Sequence, residues 1–124
     1  MAYLTPPSAP STRLFTLNVN QTNTDLGSII VPEKILLLRV IPYGASVNMG
    51  ALAALLGLYD AAAGGGNVLV TPAALIGLTT ALKAPLMTIL YTDVITSRLL
   101  VPRVTTAAGA PATINLAIQY LDLT

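Results

Sequence analysis

The chain has 124 residues, a length for one domain, and 54% of it is apolar while only 9% is charged, against ~25% charged in ordinary soluble domains. Six Lys and Arg against five Asp and Glu leave a net charge of +1, which excludes a general nucleic-acid binder that displaces counterions with a dense basic patch. There is no Cys and no His, so disulfides, thiolate chemistry, zinc-thiolate sites and the commonest general base are all missing, and an ordinary enzyme is not expected.

The missing charge matters more than the apolar fraction. A soluble monomer of this size carries roughly 30 charged side chains, and here the six basic and five acidic residues make eleven. Leu (22) and Ala (18) dominate the apolar set, and 15 Thr supply β-branched side chains that suit strands and tolerate solvent. Such a surface sits in lipid or against other subunits. Residues 40–59 and 61–82 are uncharged and long enough to cross a bilayer. Pro42, Gly44, Asn48 and Gly50 interrupt the first, Gly64, Gly65, Gly66, Asn67 and Pro72 the second, and exposed backbone in mid-bilayer is costly. No Trp or Lys/Arg cluster anchors the ends, and the first ten residues lack the regions of a signal peptide. A membrane hairpin is therefore the weaker alternative.

Residues 1–12 carry Pro6, Pro7 and Pro10 and read as an extended polyproline-like arm. That arm is either a frayed end or a segment that orders on a neighbouring subunit, with Tyr3 and Leu4 as anchors. Arg13–Asn20 alternates, Phe15, Leu17 and Val19 on one face and Thr16 and Asn18 on the other, as a half-buried strand does. A turn at Gln21–Asp25 leads to a short strand at Leu26–Val31. Lys34–Tyr43 is apolar on both faces except for Arg39, which suits a central strand covered on both sides. Pro42 and Gly44 mark its end or a bulge.

Ala51–Tyr59 reads two ways. Leu52, Leu55, Leu56 and Tyr59 fall at helical spacing, yet the Gly-rich stretch Gly64–Gly66 leading to Val68–Val70 also makes a β-hairpin. Thr71–Leu78 reads as a short helical turn, with Thr71 as N-cap and Pro72 at the first helical position. Met87–Tyr91 and Arg98–Thr105 are expected strands, and Pro102 places the second at an edge or bulge. Ala112–Leu123 alternates most cleanly, with Ile114, Leu116, Ile118 and Tyr120 inward and Asn115, Ala117, Gln119 and Leu121 outward. Eight short candidate strands punctuated by Gly and Pro predict an all-β fold. The expected organisation is an arm over 1–12 and a single-domain, jelly-roll-like β-sandwich over 13–124.

Chemistry is sparse. Asp25, Glu33, Asp60, Asp93 and Asp122 each stand alone in their segments and read as solvated turn or cap residues. Paired carboxylates for acid–base work and an oxygen-rich loop for a hard cation are both lacking. The serines sit in no nucleophile elbow, and Gly64–Gly66 is not followed by the Lys-Ser/Thr of a phosphate loop. No catalytic residue, metal or cofactor is expected. Arg39, Arg98 and Arg103 lie in apolar strands, where an unpaired buried charge is costly. They are expected to reach an outer face and to pair with a partner's carboxylate across an interface.

The stretch from Leu52 through Gly-Leu-Tyr59 to Gly66, followed by Leu69–Leu75 and Leu78-Thr79, resembles a pattern in small structural proteins of tailed bacteriophages. So does the run from Leu99 through Pro102 and Arg103 to Ile114 with its closing strand. The resemblance tips Ala51–Tyr59 toward a strand that returns through a Gly-rich turn, with the helix as the other reading. It implies a capsid decoration (cement) protein at the virion surface, jelly-roll-like and non-enzymatic, a homo-oligomer (often a trimer) that clamps major capsid subunits, with neither nucleic acid nor membrane as partner. The interface residues expected are Tyr3, Leu4, Pro6, Pro7, Arg39, Arg98 and Arg103. Alternatives are a tail or head-fibre component and a carbohydrate-binding β-sandwich, for which Tyr43, Tyr59 and Tyr91 would supply the stacking rings.

Overall fold

The two most regular alternations in the sequence pair with each other. In the computed structural model, which describes residues 10–80 and 87–124, β1 (Ser11–Asn18) runs antiparallel to β8 (Thr113–Asp122) along its whole length, from Ser11 opposite Tyr120 to Asn18 opposite Thr113. The other edge of β8 takes β4 (Ile35–Tyr43), giving a three-stranded sheet in the order β1-β8-β4. The second sheet is built on β7 (Leu99–Thr106). On one side β7 pairs with the two-residue strands β2 (Thr24–Asp25) and β3 (Ile29–Ile30). On the other it pairs with β5 (Leu55–Tyr59), and β6 (Val68–Ala74) lies outermost.

Every pairing is antiparallel and the pairs are nested: β1 with β8, β2 and β3 with β7, β5 with β6. This is the jelly-roll-like β-sandwich that the strand count predicts. One continuous core fills it. Leu17, Leu37, Val40, Ile114, Leu116 and Ile118 come from the first sheet, and Leu56, Leu58, Leu69, Val70 and Leu100 from the second. The alternation expected of Ala112–Leu123 holds residue for residue: Ile114, Leu116, Ile118 and Tyr120 are buried, and Asn115, Ala117, Gln119 and Leu121 half-buried.

Several local expectations change. Thr71 and Pro72 do not start a helical turn, because β6 continues through them to Ala74. Leu58 faces Val70 and Leu56 faces Ala73, so β6 holds one residue more than β5 there and bulges at Thr71–Pro72. The missing N–H of Pro72 falls on the outermost strand, where no ladder needs it. Gly57 makes the bulge possible, since a Cβ there would lie 2.9 Å from the Val70 carbonyl oxygen and 3.1 Å from the Pro72 ring.

Pro102 sits inside the sheet rather than at an edge. Its carbonyl accepts the Leu26 N–H at 2.9 Å, and in an extended residue the N–H position points to that same side. The donor it lacks is thus the bond that would have carried the neighbouring strand onward. The ladder on this side of β7 is interrupted here: β2 falls in the expected turn Gln21–Asp25, and of the strand expected at Leu26–Val31 only Ile29–Ile30, β3, forms.

β4 is an edge strand of its sheet, not a central strand covered on both sides. Its side chains alternate between buried and more exposed, with an irregularity at Leu38 between the Leu37 and Arg39 pairings. The expected strand Met87–Tyr91 is irregular chain. Met87 N–H bonds to the Val40 carbonyl in one sheet (2.9 Å), and Leu90 N–H bonds to the Leu69 carbonyl in the other (2.8 Å). Amides divided between two sheets cannot form a ladder with either, and the segment closes the flank of the sandwich instead. Of Ala51–Tyr59, only Leu55–Tyr59 is strand. Before it, Met49–Ala51 makes a 3-10 turn whose Gly50 N–H is accepted by the Asn48 side chain at 2.9 Å.

Candidate assembly surface

The side of the three-stranded sheet turned away from the core is a nearly uncharged surface. Register places Thr12, Gln119 and Arg39 in one row across the sheet, Leu14, Ala117 and Ile41 in the next, and Thr16, Asn115 and Tyr43 in the third. Leu36 and Leu121 extend it. Leu14 is 65% exposed. The polar side chains bond to one another: Thr16 Oγ1 donates to Asn115 Oδ1 at 3.0 Å, and Gln119 Nε2 donates to Thr12 Oγ1 at 3.4 Å. Groups already paired lose less when another surface covers them. Arg39 is the one charge in these rows; it is exposed and has no ion pair among the described residues.

The two other arginines named from the sequence find carboxylates within the chain. Arg103 on β7 bonds Asp25 on β2 at 2.7 Å, the two side chains 14% and 30% exposed. Asp25 also accepts the Ala63 N–H at 2.8 Å. That bond, opposed by burial and joined by the hydrogen bond and charge of Arg103, holds the Asp25 carboxyl below the usual carboxylate value. The site fastens the β5–β6 connection, which turns at Ala62–Gly64, to β2 and β7. Arg98 pairs with Glu33 at 3.3 Å on the surface. Tyr3, Leu4, Pro6 and Pro7 lie outside the described residues.

Asp60 departs from the solvated-turn expectation. It is buried, and its carboxylate accepts both the backbone N–H of Asn67 (2.6 Å) and its side-chain amide (2.9 Å), closing the Gly-rich connection. Gly66 sits at φ +69, and a Cβ there would collide with Asp60 Oδ1. A buried acceptor was invisible in the sequence, where Asp60 before a glycine run looks like any turn residue. The Asn at the far end of the run was the available signal.

Other chemistry is scarce. Among the described residues no three of His, Cys, Asp and Glu come together to hold a metal. A groove of about 350 Å³ between β6 and residues 88–90 is lined by Thr71, Pro72, Ala73, Thr88, Ile89 and Leu90, none of them titratable. Tyr59 is buried and Tyr91 packs against the core, so of the three rings considered for sugar stacking those two are engaged inside. No described helix is long and apolar enough to cross a membrane. The uncharged stretches 40–59 and 61–82 instead supply the end of β4 and all of β5 and β6.

No protein-family model matches the sequence, and no curated protein matches it. Among solved structures, the fold is similar to a chain of the capsid asymmetric unit of cyanophage Pam1, with a TM-score of 0.54 over 98% of this chain and 94% of that one. Identity is 16%, so the likeness is one of fold.

Proposed function

We propose that the protein is a non-enzymatic virion component that decorates a phage shell and stabilises it by bridging major capsid subunits at the capsid surface. The observation that carries this reading is the likeness of fold, over almost the full length of both chains, to a chain from a phage capsid. The exposed sheet face with a single charge supports it, because burying apolar and already-paired polar groups against a neighbour carries little desolvation cost. In this reading the rows through Leu14, Ala117 and Ile41 dock on the shell, and Arg39 meets a carboxylate of the major capsid protein. The segment before β1, with Tyr3, Leu4, Pro6 and Pro7, reaches a second subunit, whereas Ser11 and Thr12, expected in the arm over 1–12, begin β1. A homo-oligomer would present several such faces at once, so modest contacts multiply over the lattice. Neither nucleic acid nor membrane is a partner.

Co-sedimentation of the purified chain with phage shells lacking their decoration is the test. Binding in the pellet, weakened by Leu14→Asp and by removal of residues 1–10, is expected. A chain that stays in the supernatant and is retained on a glycan surface would overturn the reading in favour of a carbohydrate-binding module, and co-purification with tails or fibres alone would move it there.

A further inference from the structure

The broken edge of the second sheet carries a feature that shell docking does not use. Ile30 on β3 is 78% exposed, the highest exposure among the large apolar side chains described. Its neighbour Ile29 packs against the core, so Ile30 points to the opposite side, across from Leu99 on β7. Beside it stand Glu33 and Arg98, joined at 3.3 Å, with side chains 56% and 61% exposed. Arg98 adopts φ +63, a left-handed conformation that costs a non-glycine residue about 1 kcal/mol or more. Gly or Asn would hold this turn without that strain, so what the chain keeps at 98 is the guanidinium. An ion pair this exposed adds little to the stability of the fold itself. In a chain with eleven charged residues, two opposite charges flank the most exposed isoleucine on an edge with no further strand described beyond it.

We propose that the β3 edge is a contact with a second copy of this chain, in which Ile30 is buried and the Glu33–Arg98 pairs exchange partners, Glu33 of one copy facing Arg98 of the other. The two charges are self-complementary, so a second copy supplies both counter-charges and a matching apolar centre. This contact is independent of the shell reading and is tested without shells.

Sedimentation velocity of the isolated chain is expected to show concentration-dependent association. Glu33→Arg and Arg98→Glu should each weaken it about tenfold or more, since like charges then meet. An equimolar mixture of the two single variants should regain association, because in a mixed contact the two basic side chains of one variant face the two acidic side chains of the other. Ile30→Asp should abolish association, with far-ultraviolet circular dichroism unchanged. A wild-type chain that stays monomeric at hundreds of micromolar, single variants that associate like wild type, a mixture that stays apart, or an associating Ile30→Asp variant would each overturn the proposal. Single variants that associate more strongly would also overturn it, and would assign the pair to guarding the edge.

Discussion

Of the five carboxylates, Asp25 and Asp60 organise the five-stranded sheet, and they do so in different settings. Asp25 ties β2 to β7 through Arg103 and to the β5–β6 connection through the Ala63 N–H. Asp25→Asn should lower stability at pH 7 by about 1–2 kcal/mol in urea titrations, because a charge-assisted bond is lost and Arg103 is left half-buried without its counter-charge. The pH dependence follows from the lowered folded value. The contribution of Asp25 is complete above the unfolded value of 3.8 and is lost as pH falls through the lower folded value. The gap between wild type and Asp25→Asn should therefore close on acidification. Asp122, held low by the hydroxyl and amide of Thr124, titrates in both proteins and cancels from the comparison. Asp60→Ala should cost about 1–3 kcal/mol by the same measurement, since it removes the buried carboxylate that accepts both Asn67 N–H groups and closes the connection.

At the level of elements, β8 decides whether the first sheet exists, because it lies between β1 and β4. Ile118→Ala should destabilise by about 2–5 kcal/mol, as buried large-to-small changes do, while Leu14→Ala, on the exposed face of the adjoining strand, should stay within about 0.5 kcal/mol. Thermal unfolding of the pair checks this, and equal effects would contradict the facing assigned to the two rows. Those rows were legible in the sequence, since period two at Phe15, Leu17 and Val19 and again at Ile114–Tyr120 needs only one covered face. The edges were not legible. Whether Pro72 starts a helix or sits on an outer strand depends on what β5 offers it, and β5 offers a bulge over Gly57. Whether Met87–Tyr91 makes a ladder depends on two sheets competing for its amides. Arg98 and Arg103 read as interface charges because their carboxylates, Glu33 and Asp25, are 65 and 78 positions away in the chain and meet them only after folding.

For the whole molecule, the charge deficit becomes a statement about how it associates. The proposed docking face carries Arg39 alone, so counterion release and long-range attraction contribute little to shell binding. The β3 edge, by contrast, holds an exposed pair of opposite charges whose interaction is screened by salt. The two associations should therefore separate on an ionic-strength axis. Between about 50 mM and 500 mM salt, over which the Debye length shrinks from roughly 14 to 4 Å, shell retention should change by less than about threefold, while self-association should weaken several-fold. Co-sedimentation with shells and sedimentation velocity of the free chain, run in the same buffers, measure the two. Shell binding that collapses with salt would place docking on charged loops rather than on the sheet face. Arg39→Ala marks the boundary between these cases: with one charge to lose, it should weaken shell binding by about tenfold at most and leave the remaining affinity independent of salt.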